Sequence, residues 1–371
     1  MSKSASKSHE PLFHVVKRAS IPLWQSLLIR AVAILAALIV AGLLTFFLTG
    51  LNPIDVYATM IDGAIGTEKR IWNLFQGIAL LLCVSLAVTP AFKMKFWNIG
   101  AEGQALMGGL AAALCMILYS DKLSPAVLML VMVVTSVVSG AVWALIPAIF
   151  KAKWNTNETL FTLMMNYIAT QLVSYFSYKY SVPKGSGSIG IINSSTKIGW
   201  FPSILDQKYL LNIIIVVILT FILYVYLKHS KHGYEISVVG ESENTAKYIG
   251  INVKKVIIRT MILSGAICGI AGLIMVAGTD HTIATDTVGG RGFTAIMVSW
   301  LAKFNPIMMF LTSFLIVFLE KGAIAISSEF DLNSSFSDII TGIIIFFIIG
   351  SEFFINYSIK FRESKKEAKS K

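Results

Sequence analysis

The sequence predicts an all-α polytopic membrane protein of about ten transmembrane helices, N-in and C-in, with an inverted internal repeat, and three observations support this. Of its 371 residues 56% are hydrophobic and 14% charged, and the mean hydropathy is +0.74, far more apolar than a water-soluble chain. Runs of about 20 apolar residues, the length that crosses a hydrocarbon core as a helix, follow one another from Leu27 almost to Ile355 with short polar gaps. Lysine and arginine are shared unequally between alternate gaps, which sets orientation.

Residues 1–26 carry Lys3, Lys7, Lys17 and Arg18 ahead of an apolar run too long for a signal-peptide core and without a small-residue cleavage site. They read as a retained cytoplasmic arm. The membrane domain, 27–356, divides into spans at 27–48, 72–91, 99–119, 126–150, 158–180, 209–227, 256–278, 288–303, 306–326 and 339–356. Residues 357–371 form a basic cytoplasmic tail. With the N-terminus inside, 22 of the 31 Lys and Arg fall on the cytoplasmic side. A net charge of +11 distributed in this way points to topology and anionic lipid and not to nucleic acid.

Two gaps are long. The inner one, 228–255, contains Gly233, Gly240 and Gly250 around a helix-compatible stretch, 241–249, that Ser242 is placed to cap. The outer one, 181–208, is rich in Gly, Ser and Pro, which favours irregular backbone. The internal repeat is suggested by Ile99-Gly-Ala-Glu-Gly-Gln-Ala and Val288-Gly-Gly-Arg-Gly-Phe-Thr, each with a charge before a second glycine and each opening an apolar span. The two spans run in opposite senses, as in inverted-repeat transporters.

Catalytic equipment is missing. There is no GxxxxGK[ST] loop, HExxH or GxSxG, and no His/Cys ligand pairs, so neither enzyme activity, a metal site nor a cofactor is expected. Cys83, Cys115 and Cys268 lie in apolar runs as small core residues. The five histidines, His9, His14, His229, His232 and His281, are expected to be solvated surface residues.

The candidate solute pathway consists of Asn98, Glu102, Gln104, Asn166, Asn73 and Gln76. A carboxylate at the start of an apolar span is costly unless paired or facing water, so Glu102 either lines a path or caps its own helix. Asn166, Asn73 and Gln76 either bind solute hydroxyls or tie helices together. Arg291 either pairs with Glu102, binds solute or reaches the outer interface. Phe75, Phe176 and Trp300 either stack on a ring or pack.

Asn98-Ile-Gly-Ala-Glu-Gly-Gln, Asn157-Glu-Thr with Met165-Asn-Tyr, and VGESENTAKYIGINVKK at 239–255 resemble the branched permease family of ABC importers, in its nucleoside or simple-sugar branch, over about 73–349. Met165 stands where that branch commonly has Leu. The resemblance implies a ten-helix permease subunit of the bacterial plasma (inner) membrane, translocating nucleosides by alternating access. It also implies cytoplasmic ABC ATPase subunits that hydrolyse the ATP, an external solute-binding (lipo)protein and a second permease subunit, identical or sister. Gly240, Glu241, Asn244, Ala246, Lys247, Gly250 and Ile251 match its ATPase-coupling segment. A monosaccharide permease of the same family is the alternative, and an ion-coupled secondary transporter is a more distant one.

Overall fold

The computed structural model describes residues 13–18 and 21–361. In chain order the elements are β1 (Phe13–Lys17), α1 (Leu23–Thr49), α2 (Pro53–Ile65), α3 (Glu68–Lys93), α4 (Ala101–Tyr119), α5 (Pro125–Trp154), α6 (Glu158–Lys179) and α7 (Leu210–His229). They continue as α8 (Lys231–Glu241), α9 (Glu243–Tyr248), α10 (Val253–Met275), α11 (Arg291–Leu301), α12 (Pro306–Glu329), α13 (Ser334–Asn356) and β2 (Tyr357–Phe361). Each of the ten spans drawn from the sequence contains a helix.

Among the described residues eight of these helices are long and apolar enough to cross a membrane. Of the other two, α6 is long enough but less apolar. The eighth span differs from expectation: α11 has 11 residues, which at about 1.5 Å per residue reaches roughly half a bilayer core. The glycines at 289 and 290, at φ 61° and 75°, hold backbone that no helix adopts, so the apolar run 288–303 is helical only in its later part.

Contacts divide the chain into two units, 1–63 with 319–371, and 64–318. In the first, α1 packs on α13, and Arg30 and Glu352 form an ion pair at 2.5 Å. Gly63 lets α2 approach Ala325, and Gly322 lets α12 approach Met60. β1 and β2 pair antiparallel, Phe13 opposite Phe361 and Lys17 opposite Tyr357. This small sheet was not foreseen and brings the arm and the tail side by side. The rest of both, 1–12, 19–20 and 362–371, lies outside the described residues.

In the second unit α3 is the axis, buried from Gln76 to Phe92. α10, α11 and α7 pack on it, and α10 in turn closes against α4 and α5 along seams of small residues. A Cβ at Gly269 would lie 2.2 Å from the Ser136 carbonyl oxygen, one at Gly265 2.3 Å from that of Gly140, and one at Gly272 2.1 Å from that of Ala105. Water-driven burial is weak between helices in lipid, so close backbone approach supplies the packing. The three cysteines are buried and free, as expected.

Gly269→Val is therefore expected to overfill the α5–α10 seam at a cost of about 1–3 kcal/mol, seen as a lower melting temperature in detergent. Gly342→Ala, where nothing among the described residues lies within 4 Å of the added carbon, should leave melting unchanged or raise it slightly.

Candidate functional site

Between α3 and α4 the chain leaves helical geometry for residues 94–100, which would strand backbone groups inside an apolar bundle. Side chains satisfy them. The Asn98 Oδ1 accepts from Gly100 N at 3.0 Å and from Gln104 Nε2 at 3.0 Å, and its Nδ2 donates to Ser264 Oγ at 3.1 Å. From α6, Thr162 Oγ1 accepts from Ile99 N at 3.2 Å, Asn166 Oδ1 accepts from Gly103 N at 2.9 Å, and Asn166 Nδ2 donates to the Ile99 carbonyl at 2.9 Å. Three of the pathway candidates, Asn98, Gln104 and Asn166, thus come together as a buried polar knot, with both ends of the Asn166 amide engaged by backbone.

Glu102 continues this arrangement onto a second helix. Its Oε1 accepts from Gly290 N at 2.8 Å and its Oε2 from Gly292 N at 2.7 Å. It caps α11, not its own helix, and its negative charge sits at the positive end of that helix dipole. Gly292 is the residue that permits the approach, since a Cβ there would lie 2.6 Å from Glu102 N. From this point α4 runs toward the 181–208 loop, where Asn193 Nδ2 donates to the Met116 carbonyl. In the other direction α11 runs toward the later half of α3, where Ser299 Oγ donates to the Ser85 carbonyl at 3.0 Å. The two segments that echo each other in sequence therefore abut, and their helices diverge in opposite senses. Arg291 donates to Val288 O at 3.1 Å and forms no ion pair among the described residues.

The other two candidates lie apart from the knot. Gln76 Nε2 donates to Thr279 Oγ1 at 2.5 Å, and its Oε1 accepts from Asn212 Nδ2 at 3.1 Å. Asn212 was not anticipated, although a lone amide in LLNIII was a readable signal. Its Oδ1 is buried without a partner among the described residues. Asn73 lines a cavity of about 530 Å³ with Glu68, Trp72, Asp206, Gln207 and Tyr209. This cavity lies at the first turn of α3, and the polar cluster around Gln76 is one turn further along.

At the opposite end of α3 lies the elbow. Gly240 of α8 packs on Lys93, where a Cβ would be 2.1 Å from the carbonyl oxygen. Ser242 caps α9 as expected, accepting from Thr245 N at 3.2 Å. The unforeseen helix α8 is capped by Ser230, which accepts from Gly233 N at 2.9 Å. Ala246 is buried and Ile251 N returns to its carbonyl at 2.9 Å, while Gly250 turns the chain at φ 84°. Glu241, Asn244 and Lys247 are exposed, Lys247 pairing loosely with Glu243 at 3.9 Å. Tyr248, 92% exposed, projects from the end of α9.

The sequence matches the family model described as branched-chain amino acid transport system / permease component over residues 70–349. The chain belongs to this permease family. It is 29% identical to the guanosine ABC transporter permease protein NupP of Bacillus subtilis, over 96% of this chain and 99% of that one. It is 28% identical to the glucose ABC transporter permease protein TsgB13 of Haloferax volcanii over 92% of each, and 27% to the nucleoside ABC transporter permease protein NupB of Lactococcus lactis over 83% and 86%. No solved structure matches it. The chain is thus a multi-pass ABC permease of the plasma membrane and a transport component, not an enzyme.

Two histidines of the permease depart from expectation. His281, only 6% exposed, stacks on Trp200 with ring centroids 3.7 Å apart and planes within 2°. Burial pushes its imidazole down to about 4. His232 lies half-buried in the elbow, its Nδ1 2.7 Å from the Tyr226 hydroxyl and its Nε2 3.3 Å from Thr260 Oγ1. One ring so joins α7, α8 and α10. The aromatic candidates also separate: Phe75 and Trp300 are exposed, and Phe176 packs on the core. Trp300 stands 5.7 Å from the exposed Trp97, a pairing the sequence did not reveal.

Replacing the Glu102 carboxylate should have graded effects. Glu102→Gln keeps one acceptor, and Glu102→Ala removes both at a cost of about 1.5–3 kcal/mol, so melting temperature and uptake should fall in that order. Wild-type uptake and melting in both variants would show that the carboxylate serves neither α11 nor transport. Burial lowers the His232 pKa. The unfolded ring takes up its proton at about 6.5, before the folded one does. The stability it contributes is therefore complete above that pH and is lost as pH falls from there through the folded value. Proteolysis at 231–248 should accelerate on acidification in wild type, and the pH response should flatten in His232→Gln.

Proposed function

We propose that this chain is the membrane-spanning subunit of an ABC importer that carries nucleosides inward by alternating access. The observation that carries the reading is the end-to-end similarity to a guanosine permease, 96% of this chain against 99% of that one. A polar and aromatic cavity at Asn73, Trp72 and Tyr209 suits a ring that bears hydroxyls. Two copies, or this chain and a sister, enclose the path. The outer end of α3 receives solute from an external binding protein, and α8 and α9 lie in the cytosol against an ATPase.

The knot at 98–104 acts as a hinge point in this reading, not as a free lining. Asn98, Gln104, Asn166 and Glu102 hold the starts of α4 and α11 together, while Asn73, the Asn212 Oδ1 that Gln76 helps to place, and the exposed aromatic residues are the groups left to meet solute. Coupling runs through Gly240, where α8 presses on the end of α3, and through His232 to α7 and α10. Glu241, Asn244, Lys247 and Tyr248 form the outward-facing side of the elbow.

A monosaccharide cargo is favoured by the similarity to the glucose permease, nearly as complete at 92% of each chain. An ion-coupled carrier is disfavoured by the bonding of Glu102 and Glu352. Glu102 is held by α11 and Glu352 by Arg30, which leaves neither free to cycle with a proton or Na⁺. The deciding measurement is uptake in proteoliposomes by the complete transporter, with labelled guanosine and labelled glucose in competition. ATP-dependent guanosine uptake that excess guanosine blocks and glucose does not is the expected outcome. Uptake by this chain without an ATPase would refute the reading.

A further inference from the structure

Between α8 and the start of α10 lies a cavity of about 370 Å³ lined by Lys231, Glu235, Gly250, Asn252, Lys255 and Arg259. Three cations face it against one carboxylate, and none of the four forms an ion pair among the described residues. Uncompensated like charges around one cavity repel each other unless an anion joins them. The N-terminus of α10 adds to the positive field: Asn252 Oδ1 caps Lys255 N at 3.1 Å, and the helix continues for 23 residues.

We propose that this cavity binds a phosphate group, held by Lys231 from α8 and by Lys255 and Arg259 from α10. The surplus of two positive charges matches a phosphate, which carries about −1.5 to −2 as a monoester at neutral pH. Charge-assisted bonds from an arginine fork and two ammonium groups are the usual means of holding one. The volume exceeds that of the phosphate alone, so a headgroup or a nucleoside moiety fits with it. A basic pocket at the cytoplasmic boundary suits an anionic lipid, and a soluble nucleotide presents the same chemistry. The site rests on the reading that places the elbow in the cytosol. Its occupant would bridge α8 to α10 beside the His232 contact and so stiffen the joint through which the elbow moves.

The test uses the assembled transporter in nanodiscs, where both faces are open and binding depends on neither orientation nor cargo. One arm titrates guanosine monophosphate and inorganic phosphate into phosphatidylcholine discs, and the other compares discs with and without phosphatidylglycerol. Protection of 231–259 against hydrogen exchange is the readout. Saturable protection in the first arm identifies a soluble phosphate, and protection only with phosphatidylglycerol identifies a lipid; either supports the site. A combined Lys255→Gln and Arg259→Gln variant should weaken it about tenfold or more. Glu235→Gln should tighten it, a gain that a purely structural carboxylate would not produce. Absence of protection by all three phosphates overturns the proposal. So does loss of the ATPase from the double variant in every lipid, which would make the cavity a seat for that subunit. Labelling of Tyr248→Cys from one side of sealed vesicles tests the orientation separately.

Discussion

The carboxylate of Glu102 and the two backbone amides that it accepts from are the joint around which the second unit is organised. A bilayer core offers no water, so every peptide group at the start of a helix there needs a partner from the protein, and an orphan costs several kcal/mol. This chain starts two helices inside its bundle, α4 after an irregular stretch and α11 after two glycines in left-handed backbone. One acidic side chain at the start of the first supplies both acceptors for the start of the second. The remaining open groups of the 98–104 turn are closed by the amides and hydroxyl of Asn98, Thr162 and Asn166.

The glycines follow from the same constraint. Short hydrogen bonds to backbone require backbone to come close, and Gly103 and Gly292 stand at the two contacts where a methyl group would block it, 2.8 Å from Asn166 Oδ1 and 2.6 Å from Glu102 N. The seams at Gly265, Gly269 and Gly272 then hold α10 against α4 and α5, so that the knot sits in a frame with little room for side-chain rearrangement. A frame of this kind moves as packed helices turning against each other. It suits the alternating access proposed above.

Hydropathy made the order of the long apolar helices legible, because long apolar runs separated by short polar gaps have few other solutions. It could not show that the run at 288–303 holds only a short helix, since Val288 and Ile296 are equally apolar whether in a helix or before one. The pairing of the two glycine motifs was legible as an echo, yet their contact was not: Glu102 and Gly290 are separated by 188 positions, and only tertiary packing brings them together. His232 was misjudged for the same reason. Its partners, Tyr226 and Thr260, lie on other helices, so the loop around it gave no sign of a buried ring. Ser242 was legible as a cap because capping is local, whereas the sheet between Phe13–Lys17 and Tyr357–Phe361 joins the two ends of the chain and leaves no local mark.

The polar side chains that drew attention as solute ligands thus divide by what backbone demands of them. Where the chain breaks its helix, amides and the carboxylate are held by peptide groups and have little bonding capacity left for cargo. Asn212 is the converse case, with a buried Oδ1 that no donor among the described residues reaches, lying beside Gln76 and Thr279 a turn beyond the cavity at Asn73. An acceptor of that kind needs a donor from outside the chain, water being the simplest and a solute hydroxyl the one the proposed function would supply. Under the importer reading proposed above, selectivity in such a passage can be loose: a few open polar atoms suffice for a hydroxylated ring if an external protein makes the choice. In that reading the helices remain under the control of the bonds at 98–104 and 290–292, which protein groups already fill.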